Sequence, residues 1–313
     1  MSPNNKAQLQ IHLCVLLWGF TAILGKLITL PALPLVWWRM GLVTLALLLV
    51  PRVWRGLRAM PRRLLLSYAG VGVLVGLHWL TFYGAIKLAN ASVAATCMAF
   101  ATVFVALIEP KLAGRRFSRR EFGLGLAVLP GVALVVGGID ASMRIGVAVG
   151  ALSALFVACF GALNKRLVEQ ADPLTVTAVE LGAGTLALTL LAPLMPLIFP
   201  VFAGELLALP GLHDAGYLLL LAFACTLFPF ALSLVALRHM SAFAAQLAVN
   251  LEPVYAIVLA ILLLGEQREL STQFYVGVAI ILAAVLVHPL LSRPGRLRHP
   301  ETLATSEAKD VSG

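Results

Sequence analysis

Apolar residues run along this chain in blocks of about twenty, and the blocks are separated by short clusters of arginine, lysine, proline and glycine. Charge-free stretches cover residues 64–86, 88–108, 122–139, 145–164, 181–204, 215–237 and 270–292. At about 1.5 Å per residue, such lengths match the hydrocarbon core of a bilayer, roughly 30 Å thick. Three more stretches qualify if each tolerates one charge: 11–28 with Lys26, 35–50 with Arg39, and 242–264 with Glu252. The pattern predicts ten transmembrane helices and no strand.

The ten fall into two similar halves. Leu24-Gly25-Lys26-Leu27 through Pro34-Leu35 recurs as Leu163-Asn164-Lys165-Arg166 through Pro173-Leu174, with lysine and proline shifted equally. Further on, Ala85-Ile86-Lys87-Leu88 through Leu112-Ala113-Gly114 matches Ala236-Leu237-Arg238-His239 through Leu263-Leu264-Gly265, again with the basic residue and the glycine shifted equally. A repeat this long in an apolar chain is the mark of a duplicated transporter fold. It divides the chain into a cytoplasmic N-terminus (1–10), a first five-helix repeat (11–140), a second (145–291) and a disordered cytoplasmic tail (292–313).

Composition supports the membrane class: 61% of residues are hydrophobic and 12% charged, where soluble domains carry about 25% charge. The net charge of +9 raises the question of nucleic acid. Its arginines and lysines, however, cluster in short loops between spans, where the positive-inside bias accounts for them, and no nucleic-acid partner is expected. Placing the amino terminus inside puts the Arg52/Arg55/Arg58/Arg62/Arg63 and Lys111/Arg115/Arg116/Arg119/Arg120 loops in the cytoplasm. It leaves Lys26, Lys87, Arg144 and Arg268 outside. Both termini are then cytoplasmic. Five spans per repeat turn the second copy upside down, so the expected fold is an all-α integral membrane protein of two inverted five-helix repeats. Cys14, Cys97, Cys159 and Cys225 fall in spans without metal-ligand spacing, so no metal site is expected.

Helix packing leaves its own pattern. Gly146, Gly150, Ala154, Ala158 and Ala162 form a ridge of small side chains along the sixth span, with Gly72 and Gly76 a shorter version in the third. Pro130, Pro229 and Pro253 each remove a backbone donor within a span. They mark either passive kinks or breaks lining a cavity.

Polar residues inside spans are costly and are functional candidates by default. The repeat provides a sieve: residues paired across the copies belong to the scaffold, while unpaired ones are candidates for chemistry. Glu252, in Asn250-Leu251-Glu252-Pro253, is the strongest. It is either a proton-coupling or cation-binding carboxylate, or, with Asn250, a partner for backbone groups that Pro253 frees. Glu180, about 10 Å into the seventh span, faces Gly41 in the alignment and is either functional or paired with a neighbouring helix. Arg39 either snorkels outward beside Trp37 and Trp38 or faces a cavity; its pairing with Glu180, from the opposite side, is not expected. His78 is a packing residue or a proton carrier. Trp18, Trp79, Tyr83 and Phe100 either line an amphipathic cavity or pack.

These residues resemble the EamA family of the drug/metabolite transporter superfamily. The likeness rests on Leu17-Trp18-Gly19 with Lys26, Ala85-Ile86-Lys87, Asn250-Leu251-Glu252-Pro253 and Leu263-Leu264-Gly265-Glu266. It implies a central cavity formed by spans 1–4 and 6–9, with spans 5 and 10 outside, and export of small metabolites by alternating access. The first copy departs from the pattern, reading Ala99-Phe100-Ala101-Thr102 where the second has Asn250 to Pro253.

The expected function is a secondary transporter, in efflux mode, of amino-acid-like or other small polar or amphipathic compounds across the cell inner membrane. It needs the bilayer and a small-molecule substrate but no cofactor. No GxxxxGK[ST] loop is present to hydrolyse nucleotide, so coupling is to protons or to the substrate's own gradient. The alternatives are a membrane scaffold or lipid-handling protein, or an intramembrane enzyme. An enzyme is not expected, because no HExxH and no acid near His78 supplies a catalytic residue.

Overall fold

The computed structural model describes residues 3–114, 116–249 and 251–291; these are almost entirely helical and contain no strand. The first half comprises α1 (Pro3–Leu27), α2 (Ala32–Leu48), α3 (Pro51–Ala59), α4 (Arg62–Leu88), α5 (Ala91–Cys97), α6 (Phe100–Leu112) and α7 (Arg119–Gly137). The second comprises α8 (Arg144–Leu167), α9 (Pro173–Leu191), the short α10 (Met195–Ile198), α11 (Leu212–Ala222), α12 (Phe228–Leu237), α13 (Ala242–Val249), α14 (Glu252–Leu264) and α15 (Thr272–Leu291). Among the described residues, eight helical segments are long and apolar enough to cross a membrane, or nine if α2 and α3 are counted as one bent span. The described apolar part of α15, Thr272–Ala284, is shorter. Leucines such as Leu9, Leu66, Leu190 and Leu262 point outward from the bundle, as a lipid-facing exterior requires.

Two expectations change at the element level. The Arg52/Arg55/Arg58 segment is not a loop but the helix α3, set at 90° to α2. Its basic and apolar sides suit the membrane surface. The seventh span begins at Pro173, which agrees with the depth expected for Glu180. Glu180 lies inside it, and Asp172 caps it by accepting from the Thr175 N–H at 3.3 Å. The fourth begins at Ala91, where the Asn90 side chain accepts from the Val93 N–H at 2.9 Å.

Small residues bring the helices together as expected. Gly146 and Gly150 of α8 lie against Ala89 and Cys97, while Ala154, Ala158 and Ala162 are fully buried. Gly72 and Gly76 of α4 meet the backbone of Glu180 and Gly184 in α9, leaving no room for a larger side chain at Gly72. The α7 and α15 helices cross at Gly131 and Gly277.

The repeats are locked by a reciprocal clasp. Asn90 and Ser241 align under the shift that pairs Lys87 with Arg238, and each caps the helix that follows it, α5 and α13. The first backbone donors of α5, the N–H groups of Ala91 and Ser92, donate to the Glu266 carboxylate, both at 3.0 Å. The equivalent donors of α13, Ala242 and Phe243, donate to the Glu109 carboxylate at 3.1 and 2.9 Å. Each carboxylate thus fills the acceptor requirement that a helix start presents. Both lie at the far end of the opposite span. The symmetric cations do the converse: Lys87 donates to the Ile28 carbonyl at 2.5 Å and Arg238 to the Val168 and Ala171 carbonyls at 3.2 and 2.9 Å. These are the carbonyl groups exposed at the end of α1 and just beyond α8.

The fourth and ninth spans also break at matching depths, between α5 and α6 and between α13 and α14. Around both breaks the backbone bonds run to the third residue back, as in Ala99 N–H to the Thr96 carbonyl and Leu251 N–H to the Ala248 carbonyl. Pro253 accompanies only the second break, so proline is not its sole cause.

Candidate functional site

A cavity of about 1020 Å³, its open mouth included, lies between the repeats. One end lies among Asn164 of α8, Leu237 of α12 and Ala242 of α13; the other lies among Thr21 of α1, Arg39 of α2 and His78 of α4. Its walls are mainly apolar and aromatic, with Trp18, Trp79, Phe82, Phe160 and Phe230, and the polar groups are few: Thr21, Arg39, His78, Asn164, Ser233, Gln246 and Glu252. An apolar pocket with a small number of placed polar groups is the usual form of a small-molecule site.

Arg39 forms the deep end. It is 2% exposed, so of the two readings open in the sequence the cavity-facing one holds and outward snorkelling does not. Its Nε donates to Thr226 Oγ1 at 2.5 Å, one terminal nitrogen to the Tyr83 hydroxyl at 2.8 Å and the other to the Cys225 carbonyl at 3.4 Å. The guanidinium lies 3.8 Å from the centre of the Trp79 ring, a cation–π contact that retains most of its strength away from water.

Two of the three acceptors for Arg39 come from a defect in the eighth span. Residues Phe223–Leu227 form a π-helical turn between α11 and α12. Pro229, four residues after Cys225, has no N–H to give that carbonyl its α-helical partner. The carbonyl therefore remains able to accept from Arg39. Thr226 donates to the Leu221 carbonyl at 2.7 Å, which turns its oxygen lone pair toward the guanidinium. Gly25 provides room for the Tyr83 ring, against which any side chain there would collide.

Glu252, at the start of α14, is 7% exposed and lines the same cavity as Arg39. The site thus carries one buried cation and one buried acid on an otherwise apolar surface. Ser153 Oγ and His78 Nδ1 lie 2.8 Å apart, which ties α4 to α8 beside the cavity.

Beyond Arg39 the bundle is closed. The Thr29 N–H and hydroxyl donate to the Asp214 carboxylate at 2.9 and 2.6 Å, joining the end of α1 to the start of α11. Phe202 fills the space beside Gly84, and the Glu266 clasp lies at the same end of the bundle.

Of the residues singled out in the sequence, Trp18, Arg39, His78, Trp79 and Glu252 line this cavity. Tyr83 is fully buried behind Arg39. Glu180 is also fully buried, and Asn164 donates to it at 3.3 Å. Phe100 is outside the lining and pairs with Phe104, ring centres 6.5 Å apart. Asn250 lies outside the described residues. Arg39 and Glu180 are not brought into contact.

Asn164, Gln246, Ser233 and Thr226 escaped the sequence reading, although the same sieve reaches them. Their counterparts in the first copy are Gly25, Ala95, Phe82 and Val75, so all four are polar on one side only. Among the described residues, no cluster of His, Cys, Asp and Glu is arranged to hold a metal ion.

A helical membrane bundle built from two repeats around an apolar cavity with a few buried charges is the architecture of a transporter. The model of the EamA-like transporter family matches residues 5–137 and again 144–288, so the chain belongs to that family and is a multi-pass membrane transporter of the drug/metabolite type. One solved structure, described as "Crystal structure of protein", shares the fold. It has a TM-score of 0.65 and 18% identity over 92% of this chain and 98% of its own. No curated protein matches.

Proposed function

We propose that this chain is a ten-span secondary transporter of two inverted five-helix repeats that exports small amphipathic metabolites, amino-acid-like compounds among them, across the cell inner membrane. The carrying observation is the cavity that runs from Asn164 and Ala242 to Arg39 and stops at the closed face of Thr29 and Asp214. With both termini cytoplasmic, as the basic clusters favour, this is an inward-facing form, and the Glu266 and Asp214 contacts form the outer gate. Outward opening would release them while the helices around Asn164 and Leu237 draw together.

The substrate reading follows from the walls. Aromatic rings favour an apolar body, while Arg39 and Glu252 offer opposite charges for a polar head. The test is flux of a metabolite panel in proteoliposomes of purified protein. Flux of compounds carrying both features is expected, and repeated absence of flux across the panel would sink the proposal.

A further inference from the structure

Beside the cavity lies a pair of polar side chains, Asn164 on its wall and Glu180 behind it. Glu180 of α9 is fully buried and Asn164 of α8 is 2% exposed. Asn164 Nδ2 donates to Glu180 Oε2 at 3.3 Å, while Glu180 Oε1 and Asn164 Oδ1 have no hydrogen-bond partner among the described residues. Two orphan acceptors within one hydrogen-bonded pair in a membrane interior represent a substantial desolvation cost.

Most of the charged and titratable groups nearest the pair on the adjoining elements have partners elsewhere. On α4, Tyr68 donates to the Leu167 carbonyl and His78 pairs with Ser153. On α8, Lys165 donates to the Leu237 carbonyl and Arg166 to the Leu112 carbonyl. Arg238 holds the Val168 and Ala171 carbonyls, Arg52 of α3 binds Asp172, and Arg39 of α2 binds Thr226, Tyr83 and Cys225. None of these described contacts supplies a donor to Glu180.

We propose that Glu180 and Asn164 form a proton-binding site that exchanges with the cavity. One proton on Oε1, donated to Asn164 Oδ1, satisfies both orphan atoms at once and closes a cyclic acid–amide pair whose other bond is already in place. No donor other than the proton is needed. Two oxygens are too few to replace the shell of a metal cation, which takes about six ligands or more. Asn164 lies on the cavity wall, which gives the proton its route to water. Use of the site in transport rests on the transporter reading; its existence does not. The carrier is then Glu180, with Glu252 left to face substrate.

Infrared difference spectra of the full chain in nanodiscs test this, recorded between mildly acidic and alkaline buffer. A protonated-carboxyl carbonyl band is expected to be lost on alkalinisation, to be absent in Glu180→Gln and to persist in Glu252→Gln. The amide that Glu180→Gln introduces makes the same cyclic pair with Asn164, so the variant is expected to fold. Carbodiimide labelling of Glu180 in unmodified protein, read by mass spectrometry and falling as pH rises, tests the site without any variant. A missing band, one that survives Glu180→Gln, one constant across pH, or one removed by sodium but not choline would overturn the proton site. Absence of flux in wild-type proteoliposomes, by contrast, sinks the transporter reading and leaves the band intact. Flux whose pH dependence survives Glu180→Gln removes the site from the transport cycle.

Discussion

Replacing Glu266 with glutamine tests the clasp with almost no change of shape. The carboxylate is 2% exposed and receives three bonds: Ala91 N–H at 3.0 Å on one oxygen, Ser92 N–H at 3.0 Å and the Ser92 hydroxyl at 2.6 Å on the other. In the amide, one oxygen becomes an NH2 group facing a backbone donor. That leaves at least one buried N–H unsatisfied, at about 1–3 kcal/mol, and the bonds that survive lose the charge contribution, about 1 kcal/mol each. With two such bonds the total is about 3–5 kcal/mol. Reversible unfolding in detergent is the assay. Glu269→Gln is the control, because Glu269 accepts only from the Asn90 side chain at 3.2 Å among the described contacts, and its cost is expected below about 1 kcal/mol. A cysteine placed at the closed face should also react faster with a membrane-impermeant reagent in Glu266→Gln. Unfolding of that variant within about 0.5 kcal/mol of wild type would refute the capping account, since a surface substitution costs no more.

Arg39→Lys keeps the charge but loses the fork, so at most one of the three bonds is replaced; flux is expected to fall at least tenfold, and unchanged flux would remove Arg39 from the site. Glu252→Gln is expected to raise KM in proteoliposome flux while leaving its pH dependence in place, and loss of that dependence would return the proton to Glu252. Gly72→Ala drives a methyl group into the Glu180 backbone, at an expected cost of about 1–3 kcal/mol in the same unfolding assay; a neutral result would mean that α4 and α9 separate easily.

The bundle is legible in the sequence because a span must be apolar along its whole length, and a duplication repeats its marks. Lys87 with Arg238 and Gly114 with Gly265 belong to the scaffold by their pairing, and the structure agrees: the cations hold the carbonyls at or near the ends of the preceding spans, and both glycines adopt left-handed backbone, φ 70° and 69°. Elsewhere local patterns mislead. Glu180 stays between a functional and a paired reading in the sequence, because a run of apolar residues does not reveal the asparagine on α8 that donates to it. Arg39 sits in the sequence beside two tryptophans that suggest an interface, whereas its acceptors lie in the third and eighth spans. The Glu109 and Glu266 contacts join residues more than a hundred positions apart and leave no local signal. Part of the candidate cavity is reached through asymmetry between the copies, and the same comparison extends it to Asn164 and Gln246.

The reciprocal clasp also constrains how the molecule is made. When the first repeat alone has left the ribosome, the donors at the start of α5 have no Glu266, and Glu109 has no α13 to bind. A lone half carries both a vacant acceptor and an unfilled donor pair. In the folded chain the second half satisfies them. Carrying both repeats on one chain therefore supplies the partner as synthesis proceeds and fixes its stoichiometry.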